Sequence, residues 1–374
     1  MRLETLAVHA GERADDTAGS VSQPLYLTST FERDPGGEYS RGFVYGRYGT
    51  PNRAALEDCV AQLEGGSAAA AFASGMATAM TVLQALDPGD HVVAPLDAYF
   101  GTGVLLRTTF IRWGLEVDFV DMTDTAALQG ALRPNTRLIW FETPTNPLLR
   151  VADIQAIVSI ARNAGITTLC DNTFATPVLQ QPFTYGVDLI FHSATKYLGG
   201  HSDVVGGVVT TREEHPLFTR IRELQSTGGA GLATFDSWLV MRGIKTLPYR
   251  MRGHCTNARA VADFLQQHPR VEAVHYPGLA ANPGHEIAAR QMSDFGGMLS
   301  FQITGTAEEA LGVAARTELI TQATSLGGVH SLIEHRASVE GPHTRSPGNL
   351  LRLSVGLEHP DDLIKDLEEA LKGA

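Results

Sequence analysis

Lysine is scarce in this chain, and the scarcity singles out one residue. Of Lys196, Lys245, Lys365 and Lys372, the last two sit in a polar terminal helix and read as surface charge. Lys245 follows a glycine in RGIKTL and reads as exposed. Lys196 stands in LIFHSATKYLGG, where an apolar strand runs into a Ser/Thr-rich turn and then into glycines. An amine at a buried strand end is costly unless it is paired or gives up its proton. Each unit by which its pKa falls costs about 1.4 kcal/mol, which structure alone rarely justifies. The competing reading is a lysine that snorkels to solvent.

The neighbours favour chemistry. Ser193 and Thr195 offer hydroxyls within three residues of Lys196, which suits a phosphorylated cofactor. Ser74-Gly75-Met76 lies between an apolar run and a helix, so its backbone N–H groups can form an anion site at the helix start. Alone, that triplet is weak, because most such glycines serve packing. Asp171, in LCDNTF, ends another apolar strand. Consecutive strand ends of a parallel sheet lie side by side, and a buried carboxylate there needs a cation. A protonated ring nitrogen of a cofactor is one candidate; a helix-capping role for Asp171 is the other.

These residues need a frame, and the hydrophobic pattern supplies one. RAALEDCVAQLEGG and GMATAMTVLQAL read as helices; HVVAP, EVDFVDM, RLIWFETP, TTLCDNTF and LIFHSATKY read as strands. TAALQGAL and ADIQAIVSIARNAG are helical segments between them. Strands alternating with helices predict an α/β domain with a mostly parallel sheet. After about residue 233 the rhythm changes to helices beside mixed strands, which predicts a smaller α+β domain. The predicted organisation is an irregular N-terminal arm over 1–45, a cofactor domain over 46–240 and a C-terminal domain over 241–374. The arm is rich in Gly, Ser, Thr and Pro and has no core of its own, so it must pack on the body or on a second subunit.

Composition excludes several classes. A formal net charge of −12 without a Lys/Arg block disfavours nucleic acid and anionic membranes. No apolar run approaches the roughly 20 residues of a membrane span, and MRLETLAVHAGERADD has no signal-peptide core. Cys59, Cys170 and Cys255 are too widely spaced for a disulfide framework or a metal motif, and reduced thiols suit a cytoplasmic location. His192 and His201 are not at ligand spacing with acidic or cysteine partners, so no metal is expected. No GxGxxG follows the first strand, which argues against a nicotinamide-binding enzyme.

Taken together, SATKYLGGHSDVVGG, ETPTNP, DNTFATP, FASGMA, SLGG and LLRLSVGLE resemble the Cys/Met-metabolism family of pyridoxal 5'-phosphate (PLP) enzymes. That family includes cystathionine γ-synthase, cystathionine γ- and β-lyases, methionine γ-lyase and homoserine-ester sulfhydrylases. The likeness runs from HAGE near residue 9 to the last helix. It implies fold type I, the aspartate aminotransferase-like fold with a seven-stranded sheet, and PLP bound as a Schiff base to Lys196. It further implies that Lys196 moves protons, that Asp171 faces the pyridine nitrogen, and that Gly75, Met76, Ser193 and Thr195 bind the phosphate. Tyr99 would stack on the ring and take part in proton transfer. Tyr45 and Arg47 would reach the phosphate of a neighbouring subunit, in a homotetramer built as a dimer of dimers. Asn146 would sit near the cofactor phenolate and the substrate carboxylate, Arg352 would grip the α-carboxylate of an amino-acid substrate with Ser325 assisting, and Thr324 would lie beside them. The implied reaction is γ-elimination or γ-replacement on a sulfur- or homoserine-derived amino acid. Methionine γ-lyase and O-acetyl- or O-succinylhomoserine sulfhydrylase are the alternatives, and a non-catalytic PLP-fold binding protein is a remote one.

Several positions depart from the family pattern. Thr324, Val44 and Val104 replace charged residues of the cystathionine enzymes, which favours a smaller or less polar substrate side chain such as methionine, homocysteine or an O-acyl homoserine. Gly101 replaces the cysteine typical of methionine γ-lyases. Tyr48 is expected to crowd the pocket. His335, Arg336 and Glu340 are unusual; they read as a changed surface loop or, failing that, as residues that adjust access or bind a non-standard acceptor.

Overall fold

The computed structural model describes residues 1–12, 14–340 and 346–373. Seven strands form the larger sheet: β1 (Ala68–Phe72), β2 (His91–Pro95), β3 (Glu116–Val120), β4 (Thr136–Glu142), β5 (Thr167–Asp171), β6 (Leu189–His192) and β7 (Gly207–Thr211). Their spatial order is β1-β7-β6-β5-β4-β2-β3. Only β7 runs against the rest: it pairs antiparallel with β1 and with β6, while every other pairing is parallel. The inner strands are covered on both faces, so they are largely apolar and their alternate residues enter different cores. Leu138, Trp140, Leu169, Leu189 and Phe191 join one core; Ile139, Phe141, Cys170 and Ile190 join the other.

The chain beyond residue 270 builds a second sheet from β8 (Val271–His275), β9 (Met298–Ile303), β10 (Thr321–Gln322), β11 (Leu332–His335) and β12 (Leu350–Ser354). Its order is β10-β11-β12-β9-β8, with only β10 and β11 parallel. Helices Leu247–Gln267, Ala307–Arg316 and Pro360–Lys372 pack against it and each other around a core of its own. A fold type I architecture, a mostly parallel sheet flanked by helices with a smaller α+β unit, is therefore what the chain adopts.

The structure corrects the expectation for the N-terminal segment. Residues 1–45 are not irregular throughout: Leu3–His9 forms a helix, α1. Leu3, Leu6, Ala7 and Ala10 fall at helical spacing and pack into the core beside α2 (Pro51–Glu64). Glu12 bonds Lys245 and Glu4 bonds Arg252, which ties the segment to the helices that follow the first sheet. Lys245, expected in solvent, is accordingly half-buried and paired. Strand β7, short, glycine-led and antiparallel, escaped the βαβ rhythm, as did the helix Pro216–Gly228 and the helical stretch 100–113.

Candidate active site

The C-terminal ends of the parallel strands define the site, as expected for an open α/β sheet. Phe72 ends β1 and leads through Ala73-Ser74 into helix α3 (Gly75–Gln84). Ser74 caps that helix, its Oγ accepting from Ala77 N at 2.9 Å. The N–H groups of Gly75 and Met76 precede the first intrahelical bonds and are left for a ligand. Gly75 packs close to the turn after β6: a Cβ there would meet Ser193 Cβ and Oγ at 3.1 Å, so Ser193 would have to give by a few tenths of an ångström. Asp171 ends β5, and β6 leads through His192 into Ser193, Thr195 and Lys196.

A cavity of about 410 Å³ gathers these ends with residues of the second sheet. Gly75, Met76, Tyr99, Asn146, Asp171, Ser193, Thr195, Lys196, Thr324, Ser325 and Arg352, all expected at the site, line it. Tyr45 and Arg47 are not among the residues lining this cavity. Tyr45 pairs with Thr30 in a short bridge, and Arg47 donates to Ser226 O at 2.8 Å and lies over the Tyr48 ring at 4.5 Å. Tyr48, expected to crowd the pocket, is exposed and likewise away from this lining.

Lys196 Nζ donates to Ser325 Oγ at 2.7 Å. Burial, reinforced by the nearby positive charge of Arg352, brings its pKa down to about 8. An amine poised there both takes and gives protons near neutrality. Ser325 holds a left-handed backbone, φ 81°, unusual for a residue with a side chain and a sign of local strain. That conformation aims its hydroxyl at Lys196 and its carbonyl at Arg352, whose Nη2 lies 2.8 Å away. Arg352 Nη1 donates to Asn146 Oδ1 at 3.1 Å, and Nη2 pairs with Glu334 Oε2 at 2.6 Å. Burial lowers the Arg352 pKa to about 10.

At the other end, Asp171 Oδ1 accepts from Thr173 N at 2.9 Å. Beside it in sheet register stands Glu142, whose Oε1 accepts from Tyr99 N at 2.7 Å. Burial, with the charge of Asp171 next to it, pushes Glu142 well above the usual carboxylate range. Burial raises Asp171 too, offset by its bonds from Thr173. Asp171 makes no ion pair with a side chain among the described residues.

A pocket with free helix-start N–H groups at one end, an unpaired carboxylate at the other and a lysine between them suits a phosphorylated aromatic cation. The comparisons agree. The family model "Cys/Met metabolism PLP-dependent enzyme" matches residues 4–372. The chain belongs to that family. Its cofactor is accordingly PLP. Cystathionine γ-synthase of Mycobacterium tuberculosis is 50% identical over 98% of this chain and 96% of its own. Cystathionine γ-lyase of Bacillus subtilis is 44% identical over the whole of both chains, 100% of each. The solved structure of metB from Corynebacterium glutamicum superposes with a TM-score of 0.97 at 43% identity, covering 100% of this chain and 98% of that one.

Two acidic residues of the lining, Glu142 and Glu334, escaped the sequence reading. Glu142 opens the ETPTNP block, and its place at a parallel strand end was the available signal. Glu334 lies in the apolar run SLIEH, an acidic residue in a strand buried on both faces. For His335, Arg336 and Glu340 the surface-loop alternative is corrected: His335 and Arg336 are each 4% exposed and Glu340 9%. Arg336 bonds Glu334 and Glu340 at 2.8 and 2.7 Å, and His335 Nε2 bonds Gly348 O at 2.6 Å. The hydrophilic spelling of HRASVE misled because its charges are paired within the segment and with the adjacent strand.

Proposed function

We propose that this PLP enzyme of transsulfuration type performs γ-replacement on an O-acylated homoserine, with a thiol displacing the acyl group. The C–O bond at Cγ breaks, the carboxylate leaves, and a C–S bond forms as the thiol loses its proton. Without a thiol, water completes the turnover to 2-oxobutyrate, ammonia and the free carboxylate. The observation that carries this reading is the single cavity in which Lys196, Asp171 and Arg352 converge.

When bound, PLP supplies an electron sink that acidifies the carbons next to the amino group. Asp171 would keep the ring nitrogen protonated, and Gly75, Met76, Ser193 and Thr195 would hold the phosphate. Lys196 would tether the cofactor and then move protons between the α, β and γ carbons. Tyr99, anchored through its N–H to Glu142, would lie against the ring and share in proton transfer. Arg352 grips the substrate carboxylate with Asn146 and Ser325 beside it.

The synthase name carried by a 50% identical relative supports γ-chemistry. The exposed, uncharged Val44, Val104 and Thr324 support a substrate without a distal amino-acid head. Gly101 argues against a methionine γ-lyase: a Cβ there would stand 2.7 Å from Tyr99 Cε1 and 2.9 Å from Met76 Sδ, so a cysteine requires the ring to move.

The test is a panel of O-acetyl- and O-succinylhomoserine with cysteine or sulfide, beside cystathionine, methionine and homocysteine, with products resolved by mass. A thioether formed from an ester and a thiol is the expected result. Turnover confined to methionine, or pyruvate as the main product, would contradict it.

The arm and the turn that follows it leave Val21, Leu27, Val44, Tyr45 and Tyr48 exposed. We propose that it docks on a second copy and presents Tyr45 and Arg47 to that copy's phosphate site within a homo-oligomer. Mixing inactive Lys196→Ala and Arg47→Ala subunits under exchanging conditions is expected to restore activity through hybrid sites. No recovery despite proven exchange would refute sharing.

A further inference from the structure

Arg352 has fewer free hydrogens than its role requires. Nη2 carries two hydrogens, and Ser325 O at 2.8 Å and Glu334 Oε2 at 2.6 Å take both. Nη1 gives one to Asn146 Oδ1 at 3.1 Å. A two-pronged grip on a carboxylate through Nη1 and Nη2 therefore needs one of the Nη2 partners to yield. Of these, the Glu334 carboxylate is the one that would also repel an arriving carboxylate.

The oxygen of Glu334 that holds Arg352 has a second cation. Arg336 Nη1 reaches the same Oε2 at 2.8 Å, and Arg336 Nη2 reaches Glu340 Oε1 at 2.7 Å. Arg352, Glu334 and Arg336 are 3, 3 and 4% exposed, and all three line the cavity. Glu334 Oε1 and Arg336 Nε are buried with no hydrogen-bond partner. A buried carboxylate stripped of its only cation is strongly disfavoured; one that keeps a second cation is not.

We propose that Arg336 is a positioning residue for substrate binding: it keeps Glu334 paired while Arg352 exchanges Glu334 for the substrate carboxylate. The inference rests on Arg352 as the carboxylate anchor and adds the residue that lets the anchor let go of its resting partner. Without Arg336, the exchange leaves Glu334 as an unpaired buried charge, so Glu334 competes with the substrate for Arg352. Neutralising Glu334 removes the need for Arg336, so the two substitutions compensate.

Calorimetry on the PLP-loaded protein tests this with two amines that have no leaving group: L-norvaline, and n-butylamine, the same chain without its carboxylate. Arg336→Met is expected to raise the norvaline Kd at least about tenfold and leave butylamine unchanged. The double variant E334Q/R336M is expected to recover norvaline affinity to within about threefold of the unmodified protein, a non-additivity that a merely structural Arg336 would not produce. Arg336→Met that weakens both ligands alike, or neither, or a double variant as weak as the single, overturns the proposal. If Arg336→Met does not fold, Glu334→Gln decides: norvaline is expected to bind at least as tightly, and a tenfold loss overturns the exchange. Arg352→Ala separates the two levels. An unchanged norvaline Kd there removes the anchor and the exchange together, whereas a large loss with Arg336→Met unaffected removes the exchange alone.

Discussion

The two halves of the cavity are built by different means. The cofactor half, Ser74 to Met76, Asp171 and Ser193 to Lys196, hangs on strand ends of one parallel sheet and on a helix start. Its polar groups are backbone N–H, the hydroxyls of Ser193 and Thr195, one carboxylate and one amine, carried at a helix start, at a strand end and in the turn that follows β6. The substrate half, Asn146, Ser325, Glu334, Arg336 and Arg352, spans both sheets and is held by ion pairs and by a strained turn at Ser325. A half made by topology tolerates little change in chemistry. A half made by ion pairs can be retuned by substituting a charge, which is where this chain departs from its family pattern.

If that contrast is sound, substitutions in the cofactor half abolish turnover while those in the substrate half move binding. The largest effect belongs to Lys196→Ala: turnover is expected to fall by at least about 10³-fold, within the range for a lost acid–base group, with the fold retained by circular dichroism. Arg352→Ala comes next. Removing one partner of a buried charged pair costs about 2–5 kcal/mol, so the KM of the amino-acid substrate is expected to rise by at least about 30-fold in initial-rate assays.

A pH experiment on the cofactor-free protein sharpens the role of burial. Only the neutral amine of Lys196 attacks an aldehyde, and its pKa is held down at about 8. The rate of PLP uptake, followed by absorbance, is therefore expected to climb with pH and level off above about 8, instead of rising on toward the ordinary lysine value near 10.4. The smallest effect is Glu142→Gln. Because burial favours the protonated form of Glu142 and its Oε1 accepts the Tyr99 N–H, the amide is expected to replace it at a cost under about 1 kcal/mol in thermal unfolding at neutral pH. A larger loss would mean that Glu142 is ionised.

The same contrast explains what the sequence reveals. Lys196, Asp171 and Gly75 are legible because an apolar strand that ends in a polar residue is a local pattern, and parallel topology puts such ends together. The larger sheet is legible for the same reason, except for β7, whose antiparallel insertion between β1 and β6 has no local signature. The arrangement of Glu334, Arg336 and Arg352 is not legible. Glu334 and Arg352 are 18 residues apart on paired antiparallel strands, Arg336 follows the first of these strands, and opposite charges in a polar segment read as surface until the register Glu334↔Arg352 brings them together. Helix α1 is an intermediate case: its spacing is present in LETLAVHA, yet seven residues are too few to stand out without α2 to pack on.

The central claim is that one buried amine, Lys196, carries the cofactor. Reducing the PLP-loaded protein with borohydride, digesting it and sequencing the modified peptide by mass spectrometry tests this most directly. The pyridoxyl mass is expected on the peptide that contains SATKYLGG, at Lys196 alone, and is expected to vanish in Lys196→Ala. The mass on Lys245, Lys365 or Lys372 in its place, or on no lysine, would contradict the account.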